Sequence, residues 1–397
     1  MAITLVVNPG SASKKYALYE ENAPLFSMRF ERTESGFEQC TERNGVRQKC
    51  AGVSAEVFKR PLPHFLKAAL EELIIKDYSA LKRVVVRVVA PGGAFQKHAR
   101  VDDLFLHKLH ASEFSAPLHV PHTVREIEAV RQLLPSAVII AASDSAFHAT
   151  LPPRARRYSI APAEAAALDL YRFGYHGLSV ASVVRRFHSV ALERPGKLIV
   201  CHVGGGVSVS AVKNKVSVET SMGYAPGGGL IMGSRAGDLD VEALLSLMRA
   251  RNLRPLDAKM YIETRGGLHG LLGESDLRLI IERRARGDKA AADALAMFTY
   301  AIGREIAAAT VALGGCENLV FTGTAVERSP ILRALICAEV AHLGLSLDET
   351  KNDVLIGRDG VASAHDSRVK IVVIRTDEMG EMALIASSVH REEKNPK

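Results

Sequence analysis

Short apolar, β-rich runs recur along the chain and stop abruptly at polar or glycine residues: 3–7, 84–89, 137–142, 198–201, 319–321 and 370–374. Runs this short and this uniformly apolar predict strands buried on both faces, whose polar ends are free to carry chemistry. Between them, apolar positions at helical spacing predict helices over 179–187, 241–249, 290–313 and 329–343. Ser329-Pro330 is a good helix start, an N-cap followed by proline at the first helical position. Strands alternating with helices place the chain in the α/β class.

One pattern occurs twice. Leu5-Val6-Val7-Asn8-Pro9-Gly10-Ser11 followed by Lys15-Tyr16-Ala17-Leu18-Tyr19 is echoed by Ile199-Val200-Cys201-His202-Val203-Gly204-Gly205-Gly206 followed by Val207-Ser208-Val209-Ser210-Ala211-Val212. Each reads as strand, small-residue turn, strand. Turns built from glycine and serine let backbone N–H groups wrap an anion. Either one alone is better explained as a tight hairpin; the pair suggests a duplicated domain with phosphate held between the copies.

With 397 residues the chain is long for one core, so two domains are expected, one of them interrupted by the other. Its 47% apolar and 24% charged residues are those of a globular protein. The net charge of +7 is dispersed among acids with no basic stripe, which argues against nucleic acid and suits anionic small molecules. Arg283-Arg284-Ala285-Arg286 reads as a solvated helix face. Five cysteines, Cys40, Cys50, Cys201, Cys316 and Cys337, form no CxxC pair or zinc spacing and read as reduced, structural thiols. No run approaches a membrane span or a signal peptide, so a cytoplasmic location is expected.

Several side chains stand where chemistry is expected. Asp144 follows a buried strand, as a catalytic carboxylate does or as the cap of the next turn does. Arg87 interrupts the run Val84-Val85-Val86-Arg87-Val88-Val89, and a guanidinium is costly to bury unless a carboxylate or a ligand anion meets it. Arg235 lies in the flexible, glycine-flanked turn Met232-Gly233-Ser234-Arg235-Ala236-Gly237, suited to a bidentate grip on phosphate or carboxylate. His119, His148, His176 and His202 adjoin strand ends or glycines, each with a spacer role as its competing reading. His176 stands out because it just precedes a helix N-terminus. Glu378 follows a strand, where it can hold Mg²⁺ through water or simply favour a helix dipole.

Taken in order, these pieces resemble the acetate kinase family of acetate and propionate kinases, collinearly over nearly the whole chain. The resemblance rests on Asn8-Pro9-Gly10-Ser11-Ala12-Ser13, Arg87-Val88-Val89, Ala116-Pro117-Leu118-His119, Asp144-Ser145-Ala146-Phe147-His148, Gly174-Tyr175-His176-Gly177, Ser217-Val218-Glu219-Thr220-Ser221-Met222-Gly223, Met232-Gly233-Ser234-Arg235 and Thr376-Asp377-Glu378. It implies two duplicated actin-like, ribonuclease H-like α/β domains with an interdomain active-site cleft. An acceptor-side domain would comprise 1–147 plus 380–397, and a nucleotide-binding and dimerisation domain 148–379. It further implies a homodimer, dependence on Mg²⁺ or Mn²⁺, and reversible transfer between ATP and a short-chain carboxylate to give ADP and an acyl phosphate.

By matching position, the resemblance assigns Asn8 and Glu378 to the metal, and Arg87, Asp144, His176 and Arg235 to catalysis. Arg87, Val89, Leu118, Tyr175 and Pro226 would meet the acceptor. Ser11, Ser13, Lys15, His202, Gly204, Gly205, Gly206, Asp276, Arg278, Gly323 and Val326 would meet nucleotide or phosphate. A carboxylate acceptor is already ionised at neutral pH, so catalysis reduces to alignment and charge stabilisation.

The chain departs from the family pattern in places. Gly205 replaces an Asn in the second phosphate turn, and Gly323-Thr324-Ala325-Val326-Glu327-Arg328 replaces a glycine-rich adenosine segment, with Val326 where a glycine of positive φ is expected. Pyrophosphate is therefore an alternative donor to ATP, and a non-catalytic ligand-binding relative an alternative to an enzyme. A kinase of the same fold acting on a hydroxyl, with Asp144 as base, is a third. Tyr175 stands where Phe is usual and Ala225-Pro226-Gly227-Gly228-Gly229 is altered, so acetate, propionate and butyrate all remain open as acceptors.

Overall fold

The computed structural model describes residues 3–10, 13–33 and 36–394, with side chains described through residue 389; Ser11 of the first glycine-serine turn lies outside the described residues. The chain forms two compact units, one of Met1–Ala146 with Asp377–Lys397 and one of Phe147–Thr376.

The first unit is built on an eight-stranded sheet: β1 Ile3–Pro9, β2 Ser13–Glu20, β3 Ala23–Thr33, β4 Gly36–Arg43, β5 Val46–Val53, β6 Leu81–Val88, β7 Ala99–Arg100 and β8 Val138–Ser143. Their order is β5-β4-β3-β2-β1-β6-β8-β7. β1 pairs antiparallel with β2 and parallel with β6, which pairs parallel with β8. That central place explains why Leu5, Val6 and Val7 are all fully buried, as their uniform apolarity requires. The helices Pro61–Glu71, Val120–Leu133 and Glu378–Lys394 cover the sheet, the last resting on β1, β6 and β8. Tyr16, Phe30 and Phe65 fill the core beneath. Truncating Phe65 to alanine removes a fully buried ring and would cost roughly 3–5 kcal/mol.

Sequence pattern did not foresee β3, β4 and β5. Strands such as Gly36–Arg43 and Val46–Val53 carry exposed, charged faces at the sheet edge, so no apolar run marks them. Their register sets Cys40 opposite Cys50, and the two form a disulfide. This corrects the expectation of five reduced thiols; Cys201, Cys316 and Cys337 are free.

The second unit holds a six-stranded sheet of β9 Lys197–Val203, β10 Val207–Lys213, β11 Val216–Thr220, β12 Asn318–Thr322, β13 Gly360–Val361 and β14 Lys370–Val373, in the order β11-β10-β9-β12-β14-β13. β9 pairs antiparallel with β10 and parallel with β12, which is parallel to β14. β3-β2-β1-β6-β8 and β11-β10-β9-β12-β14 thus share one topology, an antiparallel meander followed by two parallel strands. The internal echo in sequence is an echo in connectivity. The helix Gly177–Ala191 packs on β9 and β13, and Lys289–Leu313 on β9, β10 and β11. The helix expected over 329–343 ends as Pro330–Glu339 and continues as a 3₁₀ turn, Ala341–Leu343; Ser329 caps it by accepting from Leu332 N. Among the described residues no helix is long and apolar enough to cross a membrane.

Candidate functional site

In the first unit, strand ends converge on one guanidinium. Arg87 leaves the end of β6 and donates through Nη2 to Asp144 Oδ2 at 2.9 Å. Its Nη1 reaches Asn8 Oδ1 and Glu378 Oε2, each at 3.4 Å, and Asn8 Nδ2 donates to the same Glu378 oxygen at 3.1 Å. Asn8 lies near the end of β1, Asp144 just past β8 and Glu378 at the first position of its helix, so four elements supply one polar cluster. Burial opposes the charged guanidinium, but Asp144 and Glu378 outweigh it, and Arg87 holds its proton more tightly than an ordinary arginine. Asp144 is therefore engaged by Arg87, beyond any part in the following turn.

Arg87 Nε, Ser145 Oγ and Ser13 Oγ are buried without a hydrogen-bond partner among the described residues. Native interiors rarely leave such donors unmet, and an anionic ligand is the natural acceptor for them. Lys15, opposite Asn8 on β2, has no carboxylate partner among the described residues. Val89, buried, and Leu118, half-buried, are the apolar members of the predicted acceptor set in this unit.

The metal expectation is compatible with this geometry. Asn8 and Glu378 offer hard oxygens, and Mg²⁺ typically takes one or two protein oxygens and completes its shell with water and substrate phosphate. Among the described residues, the one group of three Asp, Glu, His or Cys side chains close enough to hold a metal unaided is Glu38, Cys40 and Cys50, two of them locked in the disulfide.

In the second unit, the turn between β9 and β10 is closed by Gly204 N donating to Gly206 O at 2.9 Å. His176 precedes the helix Gly177–Ala191 in a left-handed conformation, φ 60° and ψ 19°, uncommon for a residue with a side chain. It is buried, and Ser208 Oγ meets its Nδ1 at 2.9 Å. A Cβ built on Gly206 would lie 2.7 Å from His176 Nε2 and 3.6 Å from Arg235 Nη1, so this glycine is the space into which both side chains point. The His202 ring packs against that of His176, tilted by 32° with centroids 4.1 Å apart, and Ser179 Oγ meets His202 Nδ1 at 2.9 Å.

Arg235 donates to the carbonyl of buried Pro226 at 3.2 Å. Its loop is pinned and not the flexible turn expected: Leu268 N, His269 N and Gly266 N donate to the carbonyls of Met232, Gly233 and Ser234. Gly267, at φ +59°, makes this possible, since a Cβ there would fall 2.1 Å from Met232 O. Nothing in local sequence marks Gly267 as the support of Arg235, because the need for it comes from a strand of chain more than a turn away.

Other predicted residues take different places. Tyr175 is fully buried and its hydroxyl donates to Tyr224 O at 2.6 Å, so its polar group is already engaged within the protein. His148, also fully buried, bonds Ser217 Oγ and Tyr175 O and acts as a spacer that fixes the segment leading to His176. Asp276 caps the helix Leu277–Ala285 and is ion-paired with Arg278, whose side chain is largely exposed. A cavity of about 180 Å³ beside Gly204, Gly205, Gly233 and Ser234 is lined by their neighbours Ser275 and Leu277 instead.

Gly323 has φ +93°, but Val326 does not adopt the positive φ expected of it. It lies in a short helix, Thr324–Arg328, with its side chain fully buried. Its carbonyl accepts from Arg333 Nη1, while Arg333, itself fully buried, also donates to Asn352 Oδ1 at 2.6 Å and Asn352 O at 2.7 Å. Buried Glu327 accepts from Gly323 N and Thr376 N, both at 2.7 Å, and so ties the end of β12 to the segment after β14.

The family model of the Acetokinase family matches residues 3–386. Acetate kinase of Dictyoglomus thermophilum is 34% identical over 390 residues, 94% of this chain and 96% of that one. Among solved structures, Porphyromonas gingivalis acetate kinase superimposes with a TM-score of 0.84 at 28% identity, over 98% of this chain and 100% of that one. A propionate kinase from Francisella tularensis gives 0.87 at 27% identity over the same shares. With the family model matched over residues 3–386 and a relative 34% identical over 94% of this chain, the chain belongs to the Acetokinase family.

Proposed function

We propose that the protein transfers a phosphoryl group reversibly between ATP and a short-chain carboxylate, giving ADP and an acyl phosphate. The observation that carries this reading is Arg87, a guanidinium held at strand ends by Asn8, Asp144 and Glu378 with its buried Nε unmet. Such a group is set up for an anion, and the family supplies the chemistry.

In this reading Arg87 grips the acceptor carboxylate and Asp144 positions the guanidinium, while Val89 and Leu118 offer the acyl chain an apolar wall. Asn8 and Glu378 would hold a Mg²⁺ ion, which neutralises phosphate charge when bound. His176 Nε2 and Arg235 stabilise charge on the phosphoryl oxygens, and the backbone of Gly204 to Gly206 receives phosphate. No general base is required, because the acceptor is already ionised. ATP is preferred to pyrophosphate because Val326, the residue that spoke against adenosine, is helical with its side chain turned into the interior and so raises no obstacle.

A homodimer is supported by the helix Val241–Arg251, which buries none of its residues although Val241 and Leu245 are apolar. Sedimentation would test this; a monomer at micromolar concentration would exclude it.

The deciding experiment is acyl hydroxamate formation with Mg²⁺, each of ATP and pyrophosphate, and straight-chain acids from acetate to valerate. Turnover with ATP and at least one acid is expected, and Arg235→Ala should lower it by roughly 10² to 10³ with the unfolding midpoint preserved. Ligand binding without turnover on any pair would refute the enzyme reading.

A further inference from the structure

We propose that Cys40 and Cys50 form a reversible thiol–disulfide site, opened by a dithiol and closed by a low-molecular-weight disulfide, whose state is felt on the Lys15 side of the sheet. The two cysteines stand directly opposite each other on β4 and β5, at the edge of the eight-stranded sheet. Arg47, just after the hairpin turn, contacts both sulfurs: Nη2 lies 2.9 Å from Cys40 Sγ and 2.7 Å from Cys50 Sγ, and Nε 3.2 Å from Cys50 Sγ. A cation at this distance stabilises thiolates, the species that exchanges with disulfides. Glu38 Oε1, 3.3 Å from Cys40 Sγ, works against it on one sulfur only.

The remaining cysteines are of another kind. Burial pushes the thiols of Cys316 and Cys337 up to about 12 and that of Cys201 higher still, so none is a competent nucleophile near neutrality. Redox chemistry is thus concentrated on one pair. Cys50 is partly exposed and Cys40 buried, which makes Cys50 Sγ the sulfur an incoming thiolate reaches.

Attack of a dithiol on Cys50 Sγ breaks the S–S bond, and the electron pair departs on Cys40 Sγ beside Arg47, which then takes a proton. The second thiol of the reductant attacks the mixed disulfide, releasing Cys50 as a thiolate, also beside Arg47 and protonated in turn. Two electrons and two protons pass to the protein, and the reductant leaves as its cyclic disulfide. Glutathione disulfide reverses the sequence by two exchanges, leaving two molecules of glutathione.

The site has a route inward. Cys40 lines a cavity of about 280 Å³ together with Lys15, Tyr19, Arg29, Glu42 and Met379. Lys15 lies across from Asn8 in the β1–β2 pairing, and Met379 follows Glu378. Opening the staple removes the covalent link across the β4–β5 edge and frees a wall of this cavity. The kinetic consequence rests on the proposed kinase activity; the thiol chemistry does not.

The full-length protein is equilibrated with dithiothreitol or with glutathione disulfide and then probed in three ways. Native maleimide tagging should give a rapid tag at Cys50 and a slower one at buried Cys40 after reduction, and none at either after oxidation. Amide exchange in β2 should quicken several-fold on reduction. The KM for ATP should shift several-fold between the two states, and Cys40→Ser/Cys50→Ser should be locked at one value in both buffers. Arg47→Gln should slow reduction roughly tenfold. A pair that does not open with excess dithiothreitol, or does not reclose, overturns the proposal. So does identical β2 exchange in the two states. Absence of turnover in both states refutes the kinase reading instead, while tags and exchange still decide the redox site.

Discussion

Gly206→Ala tests the second unit's site with one methyl group. The added Cβ would sit 2.7 Å from His176 Nε2 and 2.9 Å from Cε1, where an ordinary contact is about 3.5 Å, so the imidazole must retreat by roughly 0.8 Å. Retreat is resisted by the 2.9 Å bond to Ser208 and by the His202 ring packed 4.1 Å away. Overpacking of this kind costs about 1–3 kcal/mol, and a catalytic group misplaced by nearly 1 Å loses on the order of 10²-fold in rate. The expectation is a fall in kcat of roughly 30- to 100-fold at saturating ATP and acid, with urea unfolding shifted by about 1–3 kcal/mol. Gly205→Ala is the matched control. A Cβ there meets nothing within 4 Å, and its φ lies outside the left-handed range, so stability should hold or rise by about 0.4–1 kcal/mol with kcat near wild type. Its effect, if phosphate packs on the turn, should fall on the KM for ATP. The acyl hydroxamate rate and urea unfolding of the two variants check both claims. Equal kcat for Gly206→Ala and wild type, or equal losses in the two variants, would refute the placement of His176.

Further predictions concern stability and metal. Burial lowers His98 to about 4 while its Nδ1 accepts from Ser143 N, next to Asp144, and burial with Arg125 and Lys14 lowers His122 likewise to about 4. A depressed folded value means stability present above the unfolded value, about 6.5, and lost as pH falls toward about 4. Discounted for partial exposure, the His98 share is about 1–2 kcal/mol, and His98→Gln should flatten that part of a urea midpoint-against-pH curve. Arg333→Met strips donors from Val326 O and from both oxygens of Asn352, so chemical denaturation should show a loss of roughly 2–4 kcal/mol, and Arg333→Lys should rescue little of it. Glu378→Gln should raise the half-saturating Mg²⁺ concentration roughly tenfold or more; an unchanged Mg²⁺ titration removes Glu378 from the metal.

What could be read from sequence was what burial makes expensive. A guanidinium inside a run of valines had to meet an anion, and Arg87 meets Asp144 and Glu378. Two glycine turns after apolar runs announced a repeat, which the shared strand order makes plain. The misses arise where the physics is non-local. Cys40 and Cys50 are paired by the register of two charged edge strands, which leaves no apolar signature. Nothing near Tyr175 in sequence tells that its hydroxyl is taken by the Tyr224 carbonyl, far along the chain. Val326 reads as an intrusion at a glycine position until Arg333 and Asn352 reveal a helix held by its own carbonyl. The Arg235 loop looks mobile from its glycines, yet a glycine thirty-two positions later is what holds it still.

The helix Glu378–Lys394, which closes over β1, β6 and β8, has a consequence for synthesis. The second unit is a single stretch, Phe147–Thr376, whereas the first needs Asp377–Lys397 as well. On a ribosome the unit begun first is therefore finished last. The second can fold as soon as it clears the exit tunnel, but Arg87 waits for Glu378 until the helix Glu378–Lys394 has emerged as well. A nascent chain halted before Asp377 could hold the His176 and Gly206 turn assembled in its second unit, while in its first unit Arg87 would still lack the Glu378 carboxylate.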